Sequence, residues 1–194
     1  MIGLTGGIGM GKSTAAALFR RAGIPVFDAD REVHRLQARG GAAVAPIAAL
    51  FPGAVRDGAV DRARLREAVT ADPALLKRLE AVVHPLVRAA EQGFLARARR
   101  AGHPVAVLDI PLLFETGGER RVDQVVVVSA PPDVQRARVR LRRGVTEAQA
   151  RALIARQMPD AEKRRRADVV VRTGLSRHHA QRRLRRLIGE LRRP

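Results

Sequence analysis

Cysteine, tryptophan, tyrosine and asparagine are absent from the 194 residues, and phenylalanine occurs only five times. Without cysteine, the chain has no disulfide framework and no thiolate chemistry, which fits a reducing compartment. Without tryptophan and tyrosine, it has few platforms on which single-stranded bases would stack. Without asparagine, it lacks the Asn-Lys-x-Asp motif with which GTPase switches recognise guanine.

Long apolar runs are also missing, since no stretch approaches the roughly 20 residues that a membrane-spanning helix needs. Met1 leads directly into an apolar run, which leaves no room for the successive regions of a signal peptide. We therefore expect a cytoplasmic protein with no membrane partner. The length suits one sizeable core, or a core with inserted lobes.

Lysine is scarce and occurs only at Lys12, Lys77 and Lys163, although the chain has 37 basic and 19 acidic residues and a net charge of +18. Such a charge indicates either nucleic acid or small polyanions, such as nucleoside triphosphates, as partners. The arginines are scattered along the whole chain and accompany abundant alanine, which indicates a general compositional bias. We expect small polyanions and no nucleic acid, and no oligomer is required.

A glycine-rich motif at the start of the chain is the strongest functional signal. Gly6-x-x-x-x-Gly11-Lys12-Ser13 matches the phosphate-binding loop pattern. It lies between residues 1–5, an apolar run typical of a buried strand, and residues 13–21, which have helical spacing. In such loops, backbone N–H groups at a helix start bind phosphate, and the helix dipole adds positive charge. Lys12 is then expected to reach the β- and γ-phosphates, and Ser13 to bind Mg²⁺.

Apolar runs alternate with helical segments along the chain, which predicts a parallel α/β sheet. We expect about five strands with residues 1–5 central, and a helical insertion without strands at residues 31–84. The other predicted strands cover residues 24–27, 105–108, 122–128 and 169–171. The predicted helices cover residues 13–21, 31–39, 43–51, 61–69, 72–83, 85–100, 132–143, 146–157 and a last amphipathic segment that Ser176 caps.

Three acidic residues follow predicted strands, at the edge where open α/β sheets bind their ligands. Asp28 and Asp30 follow the second strand, and Asp109 follows the third. A kinase that acts on a hydroxyl group benefits from a carboxylate that orients the nucleophile and accepts its proton. One of Asp28 and Asp30 fits this role, while the other supports the loop or a metal-bound water, or caps the next helix. Asp109 either holds Mg²⁺ through water or is a plain strand-end acid.

Arginine is frequent in residues 136–165, a segment that we call the lid. Phosphoryl transfer spreads negative charge over the transferred group, and arginines of a closing lid stabilise that charge and exclude water. Most of these arginines are expected to be solvated. Arg142 and Arg143 are the preferred candidates, because they precede Gly144 at the predicted tip of a helical hairpin.

Five motifs make the chain similar to the dephospho-CoA kinase family over nearly its whole length. The first is Leu-Thr-Gly-Gly-Ile-Gly-x-Gly-Lys-Ser-Thr at residues 4–14, and the second is Asp-Ala-Asp at residues 28–30. The others are His84-Pro85, Pro-Leu-Leu-Phe-Glu at residues 111–115, and Ala-x-Gln-Met at residues 155–158. The glycine-rich loop and the Asp28/Asp30 pair together are quite specific for this family. The motif at residues 111–115 makes a chance resemblance to the family unlikely.

The resemblance implies ATP-dependent phosphorylation of the ribose 3′-hydroxyl of dephospho-CoA, the final step of coenzyme A biosynthesis. It implies a core like that of P-loop nucleoside-monophosphate kinases, formed by residues 1–30, 85–135 and 166–194. Residues 31–84 would form a helical CoA-binding lobe, and residues 136–165 would form the lid. The implied substrates are ATP and dephospho-CoA, with Mg²⁺ accompanying ATP.

Carried onto this chain, the resemblance makes Asp30 the general base, while Lys12, Arg142 and Arg143 are expected to stabilise the transferred phosphoryl group. Glu115 is expected to orient a lobe or to contact an arginine, and a lone histidine such as His84 is more often structural than catalytic. The residues expected at the ATP phosphates are Gly9, Met10, Gly11, Lys12, Ser13 and Thr14. The residues expected at the acceptor are Asp28, His84, Leu112 and Glu115, and those at the metal are Ser13 and Asp109.

Three segments depart from the family pattern, two of them single residues. Met10 stands where a small residue is usual, so its side chain is expected to narrow the mouth of the loop. Arg172-Thr173-Gly174 replaces an Asp-Asn-type turn, and Leu153 stands where arginine is common. An adenine contact at the turn and a lid contact at Leu153 are therefore not carried over.

Two other functions are alternatives. Another P-loop kinase, acting on a nucleoside or a sugar acid, would share the loop and the acids, and a panel of acceptors would distinguish it. A nucleic-acid-binding P-loop NTPase would bind RNA or DNA with a steep salt dependence. The scattered arginines and the missing aromatic residues argue against this second alternative.

Overall fold

The computed structural model describes residues 1–174 and 176–191, which form two compact units. One unit contains residues 1–27 and the described residues from 98 onward, and the other contains residues 28–97. The predicted lobe at residues 31–84 lies inside the second unit, and its role stays a prediction. None of the helices in the described ranges combines the length and the apolar character that crossing a membrane requires.

The described strands form a five-stranded and a two-stranded sheet. In chain order they are β1 (Ile2–Thr5), β2 (Val26–Asp28), β3 (Val55–Arg56), β4 (Ala59–Val60), β5 (Val107–Asp109), β6 (Gln124–Ser129) and β7 (Val169–Arg172). The larger sheet has the order β2-β5-β1-β6-β7, and the pairs β1–β5, β1–β6 and β6–β7 are parallel. The prediction of five strands with the first one central is therefore confirmed.

The apolar runs of the sequence explain why the central strands form where they do. All four residues of β1 are buried, and so are the last five residues of β6. A strand that is covered on both faces needs such a continuous apolar run. The register pairs Leu4 of β1 with Asp109 of β5 and with Val126 of β6. This pairing brings the end of β5 beside the end of β1, where the glycine-rich loop begins.

The described α-helices follow most of the predicted spans. In chain order they are α1 (Lys12–Arg21), α2 (Ala29–Gln37), α3 (Val44–Leu50), α4 (Arg62–Ala71), α5 (Pro73–Arg100), α6 (Pro132–Arg143), α7 (Glu147–Ala155), α8 (Asp160–Arg165) and α9 (Arg177–Leu191). Helix α8 is an addition, since none of the predicted helices covers residues 160–165, and Pro159 directly precedes it. Proline suits a helix start, because the first N–H groups of a helix need no partner within it.

Helices α1 and α9 pack against each other in the core of the first unit. Phe19 on α1 and Leu184, Leu187 and Ile188 on α9 are buried in one apolar cluster with β1 and β6 residues. The stripe predicted on the last helix is thereby confirmed. Ser176 caps this helix as predicted, because its Oγ accepts the N–H of His179 at 3.0 Å.

The second unit contains a short hairpin that the sequence analysis missed. Strands β3 and β4 are antiparallel, and the chain reverses between them at Asp57 and Gly58, with φ values of 50° and 75°. Two successive positive φ values are typical of the type I′ turn, which favours Asp-Gly. The expectation of no strand in residues 31–84 was wrong, because two-residue strands are too short to show alternation.

Helix α5 runs without interruption through Pro85, where two separate helices were predicted. Proline inside a helix removes one hydrogen bond and costs about 3 kcal/mol. Val83 before it is buried in the apolar cluster of this unit, and Leu86 and Val87 after it pack against the same cluster. Burial on both sides of the proline offsets its cost and keeps the two halves in one helix.

Candidate active site

The glycine-rich motif forms a loop between β1 and α1, as predicted. Gly9 and Gly11 have φ values of 77° and 94°, which glycine adopts without the steric cost of a side chain. Gly11 is the N-cap of α1, so the loop leads into the helix end whose N–H groups have no partner within the helix. Among the described residues, nothing accepts the N–H groups of Gly9 and Gly11. Unpaired amides at a helix start suit an anion such as phosphate.

Lys12, the first residue of α1, forms an ion pair with Asp109. Its Nζ lies 2.5 Å from Asp109 Oδ1, and the two side chains are 17% and 4% exposed. The parallel pairing of β1 and β5 explains this contact, because it places the last residue of β5 beside the start of the loop. Asp109 therefore lies at the phosphate loop, while its part in holding a metal stays a prediction.

Ser13 and Asp109 are the predicted Mg²⁺ ligands, and the side chains around the loop show whether such a site fits. Ser13 is exposed in the first turn of α1, and its hydroxyl has no partner in the described chain. Nowhere in the described ranges do three or more His, Cys, Asp or Glu residues cluster as a metal site. This donor set fits Mg²⁺, which usually takes most of its ligands from phosphates and water and few from the protein.

Two glutamine side chains hold the backbone of Ile8 in the loop. Gln135 on α6 donates from Nε2 to the Ile8 carbonyl at 2.9 Å. Gln157, just after α7, accepts the Ile8 N–H at Oε1, at 2.8 Å. Gln157 is predicted only as part of the motif at residues 155–158, and Gln135 is not among the predicted site residues. A polar residue on the buried side of a helix, as Gln135 is, was the signal available for it.

Thr173, which follows β7, also contacts the loop. Its Oγ1 lies 2.6 Å from the carbonyl oxygen of Met10. Arg138 on α6 donates to Thr173 Oγ1 at 3.0 Å and to the Thr173 carbonyl at 2.7 Å. From the sequence, Thr173 is only part of a departure from the family pattern, and Arg138 is not among the predicted site residues.

Met10 does not narrow the mouth of the loop, contrary to the expectation from its size. Its side chain is 1% exposed and belongs to the apolar core of the first unit. Its sulfur accepts the N–H of Ala130 at 2.9 Å. The left-handed conformations of Gly9 and Gly11 on either side turn the intervening side chain into the core. The Met10 N–H donates to the Gly7 carbonyl at 3.1 Å, so neither its side chain nor this N–H is free in the described chain, and the role of Met10 at the ATP phosphates stays a prediction.

Glu115, at the end of the 111–115 motif, pairs with Lys163 on α8, whereas a contact with an arginine was one of the two expectations. Lys163 Nζ lies 2.8 Å from Glu115 Oε1, and the Met158 N–H donates to the same oxygen at 3.1 Å. Burial raises the pKa of Glu115, but the hydrogen bonds and the positive charge of Lys163 outweigh it, so its pKa lies below the usual value. Leu112 of the same motif is exposed.

In the second unit, Asp28 and Asp30 have different environments. Asp28 is the N-cap of α2, and its carboxylate accepts the Arg31 N–H at 3.0 Å. Asp30 lies in the first turn of α2, is exposed, and has no hydrogen-bond or ion-pair partner among the described residues. The capping role that was one alternative for the pair therefore belongs to Asp28. His84 is exposed on α5, one residue before Pro85.

The lid contains the predicted helical hairpin. Helix α6 ends at Arg143, and Gly144 caps it with a φ of 59°. Helix α7 begins with a capping box formed by Thr146 and Gln149. Arg142 and Arg143 are exposed and have no ion-pair partner among the described residues. Three other arginines are engaged by Glu147, namely Arg136, Arg140 and Arg151.

The predicted site residues are thus only partly brought together. In the first unit, Gly9 to Thr14 form one continuous loop and helix start, and Asp109 reaches that loop through Lys12. Leu112 and Glu115 lie in the segment after β5, and Glu115 accepts a hydrogen bond from Lys163 on α8. Asp28, Asp30 and His84 belong to the second unit.

Comparison with protein families gives one match over almost the whole chain. The sequence profile of the family described as "CoaE: Dephospho-CoA kinase" matches residues 1–185. A dephospho-CoA kinase of Mesorhizobium japonicum is 56% identical over 192 residues, which cover 99% of this chain and 96% of the relative. A dephospho-CoA kinase of Paramagnetospirillum magneticum is 64% identical over 164 residues, which cover 84% of this chain and 77% of the relative.

Solved structures with the same architecture include the crystal structure of TT1252 from Thermus thermophilus. It superposes with a TM-score of 0.85 at 42% identity, covering 98% of this chain and 96% of that protein. A dephospho-CoA kinase from Campylobacter jejuni has a TM-score of 0.73 at 23% identity, with the same coverage. At that identity the likeness concerns the fold alone, and the predicted P-loop kinase fold is confirmed.

Proposed function

Because the chain belongs to the dephospho-CoA kinase family, we propose that it transfers the γ-phosphoryl group of ATP to the ribose 3′-hydroxyl of dephospho-CoA. The 3′-oxygen attacks the γ-phosphorus, the bond from that phosphorus to the β,γ-bridging oxygen breaks, and ADP and CoA are released. The hydroxyl proton passes to a carboxylate of the protein. The reaction would be the final step of coenzyme A biosynthesis, in the cytoplasm, carried out by a single chain without nucleic acid.

The phosphate loop supports the donor half of this reaction and is the observation that carries the proposal. Gly9 and Gly11 present unpaired N–H groups, and the first turn of α1 adds the positive end of a helix dipole. Lys12 is held at the loop by Asp109, within reach of the β- and γ-phosphates. Mg²⁺ bound with ATP would neutralise phosphate charge, and the hydroxyl of Ser13 would hold it, with Asp109 assisting through water.

For the acceptor half, we propose Asp30 as the general base. Asp28 uses its carboxylate to cap α2, whereas the carboxylate of Asp30 is exposed and has no partner among the described residues. A base must be free to form a hydrogen bond to the hydroxyl whose proton it removes. Asp28, His84, Leu112 and Glu115 remain our candidates for contacts with the acceptor.

For the transferred group, we propose Arg142 and Arg143 as the lid cations. Glu147 engages three other lid arginines, so their guanidinium groups are already partly neutralised. Arg142 and Arg143 have no such partner in the described part of the chain and lie next to Gly144, at the end of α6. A free guanidinium at a hairpin tip can bind equatorial phosphate oxygens when the lid closes.

In the decisive experiment, the protein is incubated with MgATP and dephospho-CoA, and the formation of ADP and CoA is measured. A folded protein that forms no ADP above background would contradict the proposal. A parallel panel of nucleosides and sugar acids tests the substrate, because faster turnover of another acceptor would indicate a different small-molecule kinase.

Two matched variants test the assignment of the base. Asp30→Asn should lower turnover on the order of 100-fold or more while MgADP still binds, since it removes the proton acceptor. Asp133→Asn is the control, because Asp133 is an exposed carboxylate in the first turn of α6, as Asp30 is in α2. Near-normal turnover of Asp30→Asn would remove Asp30 from the role of base.

A further inference from the structure

The carbonyl group of Met10 is fixed from outside the phosphate loop. Thr173 Oγ1 donates to this oxygen at 2.6 Å. Peptide bonds among the described residues are trans, so the carbonyl of one residue points away from the N–H of the next. Holding the Met10 carbonyl therefore directs the N–H of Gly11 to the opposite side. That N–H belongs to the N-cap of α1 and is unpaired in the described chain.

The hydroxyl of Thr173 is itself oriented by its neighbours. Arg138 donates from Nη1 to Thr173 Oγ1 at 3.0 Å and from Nη2 to the Thr173 carbonyl at 2.7 Å. Because an arginine can only donate, the single hydroxyl proton is left for an acceptor. The Met10 carbonyl is nearer than the other acceptor, the Ser129 carbonyl at 3.3 Å. The Thr173 N–H also donates to the Ser129 carbonyl, at 2.7 Å, which fixes the threonine backbone at the end of β7.

Gln135 holds a second carbonyl of the loop in the same way. Its Nε2 donates to the Ile8 carbonyl at 2.9 Å, and by the same trans geometry the N–H of Gly9 points away from it. Gln135 is buried on α6, so its amide is fixed by packing. Two side chains outside the loop thus set the direction of two alternate N–H groups within it.

We propose that Thr173 is a positioning residue for phosphate binding, with Gln135 as its companion. By holding the Met10 and Ile8 carbonyls, they keep the N–H groups of Gly11 and Gly9 directed at the bound phosphates before the nucleotide arrives. The proposal rests on the proposed binding of ATP by the loop and is independent of which acceptor is phosphorylated. N–H donors that already point at the phosphate site reduce the conformational entropy that the loop loses when the nucleotide binds.

The test measures binding in the absence of any acceptor, by titration calorimetry with two probes. The probes are MgADP and inorganic tripolyphosphate, which has no nucleoside. Thr173→Val removes the hydroxyl and keeps the shape of the side chain, whereas Thr173→Ser keeps the hydroxyl. Thr70→Val is the matched control, because the Thr70 hydroxyl also donates to a backbone carbonyl, that of Arg66, on an exposed helix.

We expect Thr173→Val to bind both probes about 5- to 10-fold more weakly, the effect of one lost hydrogen bond. Thr173→Ser should stay within about twofold of the parent protein, and Thr70→Val should bind unchanged. Thermal unfolding is followed for every variant. If Thr173→Val does not fold, Gln135→Met replaces it, with the same weakening expected for both probes.

Three results would overturn the assignment. Unchanged binding by a folded Thr173→Val variant would show that the hydroxyl does not preset the loop. Weakening for MgADP alone would place Thr173 at the nucleoside and not at the phosphates. Equal weakening in Thr173→Ser would show that packing matters and the hydroxyl does not. A parent protein that binds neither probe would instead contradict the proposed function itself.

Discussion

Replacing Glu115 by glutamine should destabilise the protein, because it removes the anion that a buried lysine needs. Lys163 is fully buried, and its Nζ lies 2.8 Å from Glu115 Oε1. Among the described residues, no other carboxylate is paired with this ammonium group. The glutamine amide keeps the shape of the side chain and an oxygen for the Met158 N–H. The substitution therefore changes mainly the charge opposite Lys163.

The structure indicates the size of the effect. Removing one partner from a fully buried ion pair costs about 3–5 kcal/mol. Glu115 is 23% exposed, so water already screens part of this pair. We therefore expect the free energy of unfolding to fall by about 2–3 kcal/mol. For a chain of this size, each kcal/mol lowers the melting temperature by about 2–4 °C, which gives a decrease of roughly 4–12 °C.

This prediction is tested by urea unfolding of the variants of a double-mutant cycle. The variants are Glu115→Gln, Lys163→Met and their combination. The double variant should lose at least about 1 kcal/mol less than the sum of the single variants, because it leaves no unpaired buried charge. Glu162→Gln on the same helix α8 is the control, since its pair with Arg166 at 3.8 Å is partly exposed and weak. A Glu115→Gln variant that stays within about 0.5 kcal/mol of the parent protein, or single effects that add, would show that Lys163 does not depend on this carboxylate.

Three further predictions concern acid stability and the loop. Folding lowers the pKa of Glu115, so its contribution is present above the ordinary value of 4.5 and is lost as the pH falls. Urea unfolding from about pH 5 to pH 3 should therefore show a steeper loss of stability in the parent than in Glu115→Gln, and equal slopes would contradict this. Gly9→Ala should weaken MgADP binding at least about 10-fold, because the φ of 77° is strained with a side chain and the new methyl would lie 2.9 Å from Val139. Gly23→Ala is its control, with a φ of 73° and no atom within 4 Å, and should cost about 1 kcal/mol of stability while calorimetry shows unchanged affinity. Met10→Ala should lower the free energy of unfolding by about 2–4 kcal/mol in urea, whereas Met10→Leu should cost less than about 1.5 kcal/mol; similar stability of both would exclude a core role.

The elements that the sequence predicts well are those whose signals are local. The loop motif specifies backbone conformations residue by residue, so its position between β1 and α1 follows directly from its glycines. Val125 to Val128 identify a buried parallel strand without further context. Gly144 marks the end of α6 and the capping box marks the start of α7, so the turn of the lid hairpin is specified in the same local way.

The contacts that the sequence analysis missed depend on residues far apart in the chain. Thr173 is 163 positions from the loop residue that it contacts, and Gln135 is 127 positions from its own. Both contact backbone carbonyl groups, which every residue has, so the sequence of the loop does not indicate these partners. Pro85 continues a helix only because both of its flanks pack on the same cluster. The partner of Glu115 is a lysine in a chain rich in arginine, and only the packing of α8 determines that choice.

The central position of β1 has a consequence for how the protein is made. Its sheet partners begin at Val107 and Gln124, so roughly 100 residues must be synthesised before β1 can pair. At about 5–20 residues per second, translation of that length takes on the order of 5–20 s. The contact between Thr173 and the loop forms later still, because 163 positions separate Thr173 from Met10. The glycine-rich motif is therefore synthesised well before the strands and the threonine that contact it, and its Met10 carbonyl can be held by Thr173 only after residues 11–173 have followed.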